Sequence, residues 1–374
     1  MQLKLLFWIG FNQFLNATML YLRSNVSALL MFKTDSCLSV LDRLLAILFC
    51  GLLLWGHITD KPFQIEWFVY CQTAAYLLAI AVALVIVLNK SKLRKLTWNK
   101  TLSLLILKKS LPFALLALLM SFYNRIDSVM IERLLPVDIA TTQAGIYASA
   151  FRLLDALVMI AYLFSVILLP LFSKMIKENE NVQPIVRTSF SFLYVFAIGA
   201  TVVLLCYREP ILSWLYNDHV EASASVFAIL IPCIIPIAFT YVFGTLLTAN
   251  GSLRKLNITA MAGIVVNILI NIFLIPRFQA RGAAVASLCT QSVVSLLQFF
   301  IAIKELRVPL RSMPWLPCLL FTALMIPTTL LTSRHLHLQL KYTLVLLVAA
   351  TLLYGLVTRL IDIRALRETI TRKS

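Results

Sequence analysis

The chain has 374 residues, of which 61% are hydrophobic and only 13% charged, with a mean hydropathy of +0.91. Soluble globular domains carry about a quarter charged residues, so this composition excludes them. The net charge of +17 invites a nucleic-acid reading, but the distribution of the basic residues, set out below, assigns them to membrane topology instead.

Apolar runs long enough to cross a bilayer, about 18–20 residues each, recur along the whole chain. Backbone groups in lipid have no water partner, so long runs without alternation are read as helices. Eleven spans are predicted. In chain order they cover Leu3 to Leu22, Cys37 to Gly56, Ile65 to Leu88, Ser110 to Glu132, Gln143 to Leu171 and Thr188 to Tyr207. The remainder are Ser223 to Thr248, Asn257 to Ile275, Gly282 to Ile303, Pro314 to Ser333 and Lys341 to Thr358. The fold class is therefore all-α, a polytopic transmembrane bundle. Trp55, Trp67, Trp214 and Trp315 fall near span ends, where interfacial aromatics belong.

With the loops numbered alternately, 23 Lys and Arg fall on one side and 8 on the other, while Arg125 and Arg152 lie within spans. Such an asymmetry is the positive-inside rule, and it places the richer side, including the C-terminal tail, in the cytoplasm. An odd number of spans then puts the start outside, although Met1-Gln2-Leu3-Lys4 enters lipid with no signal-peptide layout. The expectation is that an odd number of helices precedes this sequence. The seven cysteines sit in or beside apolar helices without CxxC spacing and read as small core hydrophobes. The four histidines are loop residues, and no metal or other cofactor is expected. Four N-x-[ST] sequons, starting at Asn16, Asn25, Asn99 and Asn257, lie in a span or on the basic side, which argues against glycosylation.

Two helices with a short break, then a third after a short loop, occupy Leu3 to Leu88, and the layout returns from Ser223 to Ile303. Between these copies, Asn89 to Lys109 interleaves lysines with Leu93, Leu96, Leu102, Leu105 and Ile106 at near-helical spacing, the pattern of an amphipathic surface helix. The expected organisation is a transmembrane segment over 1–88, this linker over 89–109, a six-helix lobe over 110–303, and a final helix pair with a basic tail over 304–374. Prolines 112, 170, 232, 236, 276 and 327 mark candidate kinks.

Charges within spans carry the functional argument, because an ionised group at the bilayer centre costs about 2.5–3.5 kcal/mol on insertion scales. At 100° per residue, Ser121, Asn124 and Ser128 share one face, with Arg125 on one rim and Asp127 on the other. Ser149, Arg152 and Asp155 follow at i, i+3 spacing in the next span. Arg125 lies roughly 10 Å and Arg152 roughly 14 Å from the outer ends of their helices, at 1.5 Å per residue. Two readings are open. One is an interhelical lock, Arg125 with Asp155 and Asp127 with Arg152. The other is a cavity wall of Asn124, Arg125, Asp127, Arg152 and Asp155 that meets a diphosphate, since Arg binds phosphate oxygens bidentately.

The stretches "YNRIDSVMIERLL", "AGIYASAFRLLDA" and "ILLPLFSK", followed by "TANGSLRKLN" and "NILINIFLIPRFQARGAAVAS", resemble the polysaccharide repeat-unit flippases of the multidrug/oligosaccharidyl-lipid/polysaccharide exporter superfamily. That resemblance implies a fourteen-helix two-lobe plan of which this chain supplies helices four to fourteen, lacking the front half of the first lobe. It implies an undecaprenyl-diphosphate-linked oligosaccharide as cargo, alternating access, coupling to H+ or Na+, and the inner membrane as location. A lipid II flippase or a multidrug exporter is the alternative within the superfamily. A membrane glycosyltransferase or polymerase is disfavoured, since no DxD or HExxH motif and no sizeable outer loop occurs. The partners expected are thus the bilayer and a lipid-linked glycan, not nucleic acid. A topology reporter fused after Lys373 should read cytoplasmic and one at Asn217 external; swapped signals would overturn the span count.

Overall fold

The computed structural model describes residues 2–28, 31–55, 64–90, 99–306, 313–335 and 339–361. Ten helical stretches among them are long and apolar enough to cross a membrane. One, α10 below, is two helices in sequence, so the described residues make the eleven crossings expected. The chain divides into two compact units, Met1–Lys100 and Thr101–Ser374.

The first unit holds α1 (Gln2–Ala28), α2 (Phe32–Trp55) and α3 (Ile65–Lys90). Lipid supplies no hydrophobic force between helices, so small residues and hydrogen bonds join them. Ala75, Ala79 and Ala83 form a fully buried stripe on α3. Asn12 Nδ2 donates to the Val69 carbonyl at 3.2 Å, and Thr73 Oγ1 donates to Asn12 Oδ1 at 2.7 Å, tying α1 to α3. Arg23 Nε donates to Asp35 Oδ1 at 2.8 Å and links α1 to α2.

In the second unit, α4 (Lys100–Leu134) and α5 (Val137–Lys177) lead to α6 (Gln183–Cys206), α7 (Arg208–Leu215), α8 (Val220–Leu230) and α9 (Ile234–Ala249). They are followed by α10 (Leu253–Leu306), α11 (Trp315–His335) and α12 (Leu340–Val357). Of the basic connector, residues 91–98 lie outside the described residues, and Lys100 to Lys109 run straight into the α4 span as one helix. Pro232 falls in a 3-10 turn, Ile231–Cys233, which interrupts the seventh span between α8 and α9. Prolines 112, 170, 276 and 327 lie inside helices. The short helix α7 was not anticipated; it starts directly after α6, and its Trp214 is 80% exposed.

Aromatic rings fill the centre of this unit. Phe190 of α6 lies 4.9 Å from Phe239 of α9 and 5.9 Å from Trp315 of α11, centroid to centroid. Phe243 meets Phe299 of α10 edge-on at 4.9 Å.

The break in α10 is a single residue. Gln279 adopts φ 53°, ψ −132°, and the helical arms on either side fold back on each other. Their approach is closest at Gly282, where a Cβ would sit 2.4 Å from the Leu274 carbonyl oxygen. That neighbour is backbone and cannot swing aside. Gly282→Val should therefore destabilise the unit by about 1–3 kcal/mol, the usual range for overpacking. Gly145→Ala, with nothing within 4 Å of the added Cβ, should be silent. Thermal unfolding in lipid nanodiscs compares the two.

Candidate functional site

Arg125 and Asp127 of α4 point to different environments. Two residues are 200° apart on a helix, so Asp127 turns into the bundle while Arg125 turns out of it. Asp127 is fully buried. Its Oδ1 accepts from Asn271 Nδ2 at 2.7 Å and from Asn267 Nδ2 at 3.0 Å. Its Oδ2 accepts from the Tyr147 hydroxyl at 2.7 Å and from Ser287 Oγ. Four neutral donors thus reach one carboxylate from α5 and from both arms of α10. No cation contacts it among the described residues, which corrects the expected pairing of Asp127 with Arg152. Asn271 also donates to Asn267 Oδ1 at 2.9 Å, while its own Oδ1 is buried without a protein partner.

Arg125 Nη2 pairs with Asp155 Oδ2 at 2.8 Å, as the first half of the lock reading expects. Its guanidinium also lies 5.2 Å above the Phe151 ring, a favourable cation–π placement. Both side chains stay accessible from this unit, 65% for Arg125 and 39% for Asp155. Tyr147, Phe151 and Asp155 stand at i, i+4 and i+8 on α5, so one stripe of that helix serves both Arg125 and Asp127. Ser149 instead faces α8, donating to Ser223 Oγ at 3.0 Å. Arg152 is exposed and forms none of the ion pairs found among the described residues.

A cavity of about 260 Å³ opens between α4, α5, α9 and α10. Asn124, Arg125, Asp155, Thr240, Ser287 and Gln291 give it polar lining, and Ile237 and Val158 are among its apolar lining. Asn124 Oδ1 accepts from Gln291 Nε2 at 2.7 Å. At about 30 Å³ per water molecule, this space holds about nine waters, enough for a phosphate group but not for an oligosaccharide. The structure thus brings Asn124, Arg125 and Asp155 to one cavity, sets Asp127 behind it next to Ser287, and leaves Arg152 outside its lining. Sequence reasoning missed Tyr147, Asn267, Asn271 and Ser287 as partners of Asp127. The signal available was Asn267 and Asn271 at i, i+4 in an otherwise apolar run.

Crossing helices that bury carboxamides and a carboxylate, and open a charged cavity at mid-span, define a polytopic membrane protein of the transporter type. The family model described as lipid II flippase MurJ matches residues 14–360. The chain belongs to that family, a member of the exporter superfamily that the motifs indicated. A solved structure titled lipid II flippase MurJ, inward closed conformation, shares the fold with a TM-score of 0.71 at 14% identity, covering 97% of this chain and 74% of that one. Lipid III flippases of Escherichia coli (strain K12) and Shigella flexneri are each 27% identical over 182 residues. Those alignments cover 48% of this chain and 44% of each relative, so the chain matches less than half the length of these curated relatives.

Hydrogen bonds to a charged acceptor contribute about 1.5–3 kcal/mol each. Tyr147→Phe, which removes one of the four donors to Asp127 at almost constant volume, should lower thermal stability by about 1–3 kcal/mol. If Tyr147→Phe melts like the parent protein, the cage does not hold the carboxylate as described.

Proposed function

We propose that the protein moves a polyprenyl-diphosphate-linked glycan precursor from the cytoplasmic to the outer leaflet of the inner membrane by alternating access. The single observation that carries this reading is the family match over residues 14–360, with a charged cavity at mid-span inside the matched region. Lipid II is the leading cargo, supported by the description of the family model. An oligosaccharide repeat unit on the same carrier is the second reading, favoured by the 27% identity to lipid III flippases. In this reading residues 110–303 act as one six-crossing lobe, 304–374 as a helix pair with a cytoplasmic tail, and 89–109 as the linker from 1–88.

The site residues divide by role. Arg152, an exposed cation within a span, is the better candidate for the diphosphate, because Arg125 is already neutralised by Asp155. Asp127 takes up a proton or a sodium ion during the cycle. An ionised carboxylate with only neutral partners in a lipid-embedded core is costly, and a bound cation or proton removes that cost. The orphan Oδ1 of Asn271 beside it is a further oxygen ligand for such an ion. Asn124 and Gln291 complete the polar wall.

Reconstitution with fluorescent lipid II, and separately with a polyprenyl-diphosphate oligosaccharide, tests the cargo: flipping of neither would sink the proposal, and flipping of only the second would select the alternative. Arg152→Lys should keep partial transport, since it retains charge without the planar fork. Arg152→Ala should lose at least about tenfold in rate, the cost of about one charge-assisted hydrogen bond. The pair Arg125→Ala, Asp155→Ala leaves no unpaired charge, so it should accumulate and transport. Normal accumulation without transport would move the phosphate role back to Arg125.

A further inference from the structure

Seven side-chain oxygens among the described residues are buried with no protein partner, and five of them belong to Asn271, Thr290, Thr240, Gln298 and Asn257. These five are not scattered. Asn257 stands near the basic end of α10's first arm and Asn271 near its outer end, beside Asp127. Thr290 and Gln298 lie on the buried face of the second arm. Thr240 approaches from α9, where the Gln298 Oε1 atom lies only 2.6 Å from where a Cβ of Gly244 would stand. Gln298 Nε2 reaches Thr259 Oγ1 at 3.5 Å, which closes the gap between the two arms. At the basic end, Asn257 Nδ2 donates to the Pro112 carbonyl at 3.2 Å, bringing α4 to the same seam. From Ser287, a donor to Asp127, to Gln298 is eleven residues, about 16 Å along the helix axis.

Polar groups in a lipid-embedded bundle are satisfied internally or by ordered water, and lone orphans are rare. A row of them along a single seam is the arrangement a hydrated path needs, since each water requires two to four polar partners. We propose that the seam between the two arms of α10, α4 and α9 holds a file of water that connects the Asp127 cage to the cytoplasmic side. The water binds at the free oxygens of Thr290, Thr240, Gln298 and Asn257. Resting on the reading of Asp127 as the coupling site, this file is its route of proton or ion exchange with the cytoplasm; Thr240 and Ser287 also line the cavity, so the file starts at the cavity's inner wall.

The competing explanation is that these groups only glue helices together. Thr290→Val with Gln298→Leu separates the two, because replacing unsatisfied polar groups by apolar ones of similar size leaves stability unchanged or raised. Thr259 keeps its bond to the Leu256 carbonyl at 2.8 Å in that variant. Two measurements on the full chain in bilayers are needed. Water-edited solid-state NMR should show polarisation passing from water to the Gln298 side-chain amide; a dry amide overturns the proposal outright. Infrared difference spectroscopy, with Asp127→Asn assigning the carboxyl band, should show Asp127 responding to a cytoplasmic pH or sodium jump. In the double variant that response should slow by about tenfold or more, the scale of losing a positioned proton-transfer group. An equal rate in a variant that melts normally overturns the proposal. If Gln298 is hydrated while Asp127 responds to neither proton nor sodium, the water file is upheld and the coupling role of Asp127 fails.

Discussion

A carboxylate buried among apolar helices must find its partners within the protein, and the arrangement of the second unit follows from how Asp127 does so. Its two oxygens accept from Tyr147, Ser287, Asn267 and Asn271, which bring α5 and both arms of α10 to one point on α4. Geometry of this kind demands that two helices of opposite direction approach the same residue. The reversal at Gln279 supplies that, and Gly282 lets the arms come close enough for Asn271 and Ser287 to share a carboxylate. Both the turn and the small residue are consequences of a polar group that lipid cannot solvate.

The two carboxylates of the region meet opposite solutions. Asp155 has a cation at 2.8 Å and remains partly accessible, whereas Asp127 has four neutral donors and no access. The paired charge on the cavity wall is neutralised within the protein. A carboxylate held only by neutral groups changes state by taking up or releasing a small cation or a proton. The contrast sets the two aspartates apart, although they lie on neighbouring helices: one is paired and open to the cavity, the other is buried among neutral donors.

Much of this was legible beforehand. All eleven spans follow from the length and apolarity of the runs, and the Arg125 to Asp155 pair follows from comparable depths on successive helices. The lock reading, one of the two left open, fails at Asp127, which it matched to Arg152 by counting charges and not neutral donors. Amide and hydroxyl groups at Asn267, Asn271, Tyr147 and Ser287 do not stand out in a composition count, yet together they replace a cation. Equally hidden was α7, whose eight residues are too short to carry a spanning signal. The reversal at Gln279 was legible as a gap between two spans, with Pro276, Arg277, Arg281 and Gly282 around it; only the residue that carries it was not.

The stripe of α5 that carries Tyr147, Phe151 and Asp155 gives these separate features a physical connection. Tyr147 holds Asp127, its ring stacks on Phe151 at 5.6 Å, and Phe151 and Asp155 together hold Arg125. These three residues are rigidly spaced by one helix, so one backbone fixes both the Tyr147 hydroxyl beside Asp127 and the two supports of the Arg125 guanidinium. In the alternating access proposed above, this turn-spaced stripe on α5 is a direct line of contact between the buried carboxylate and the arginine of the cavity wall.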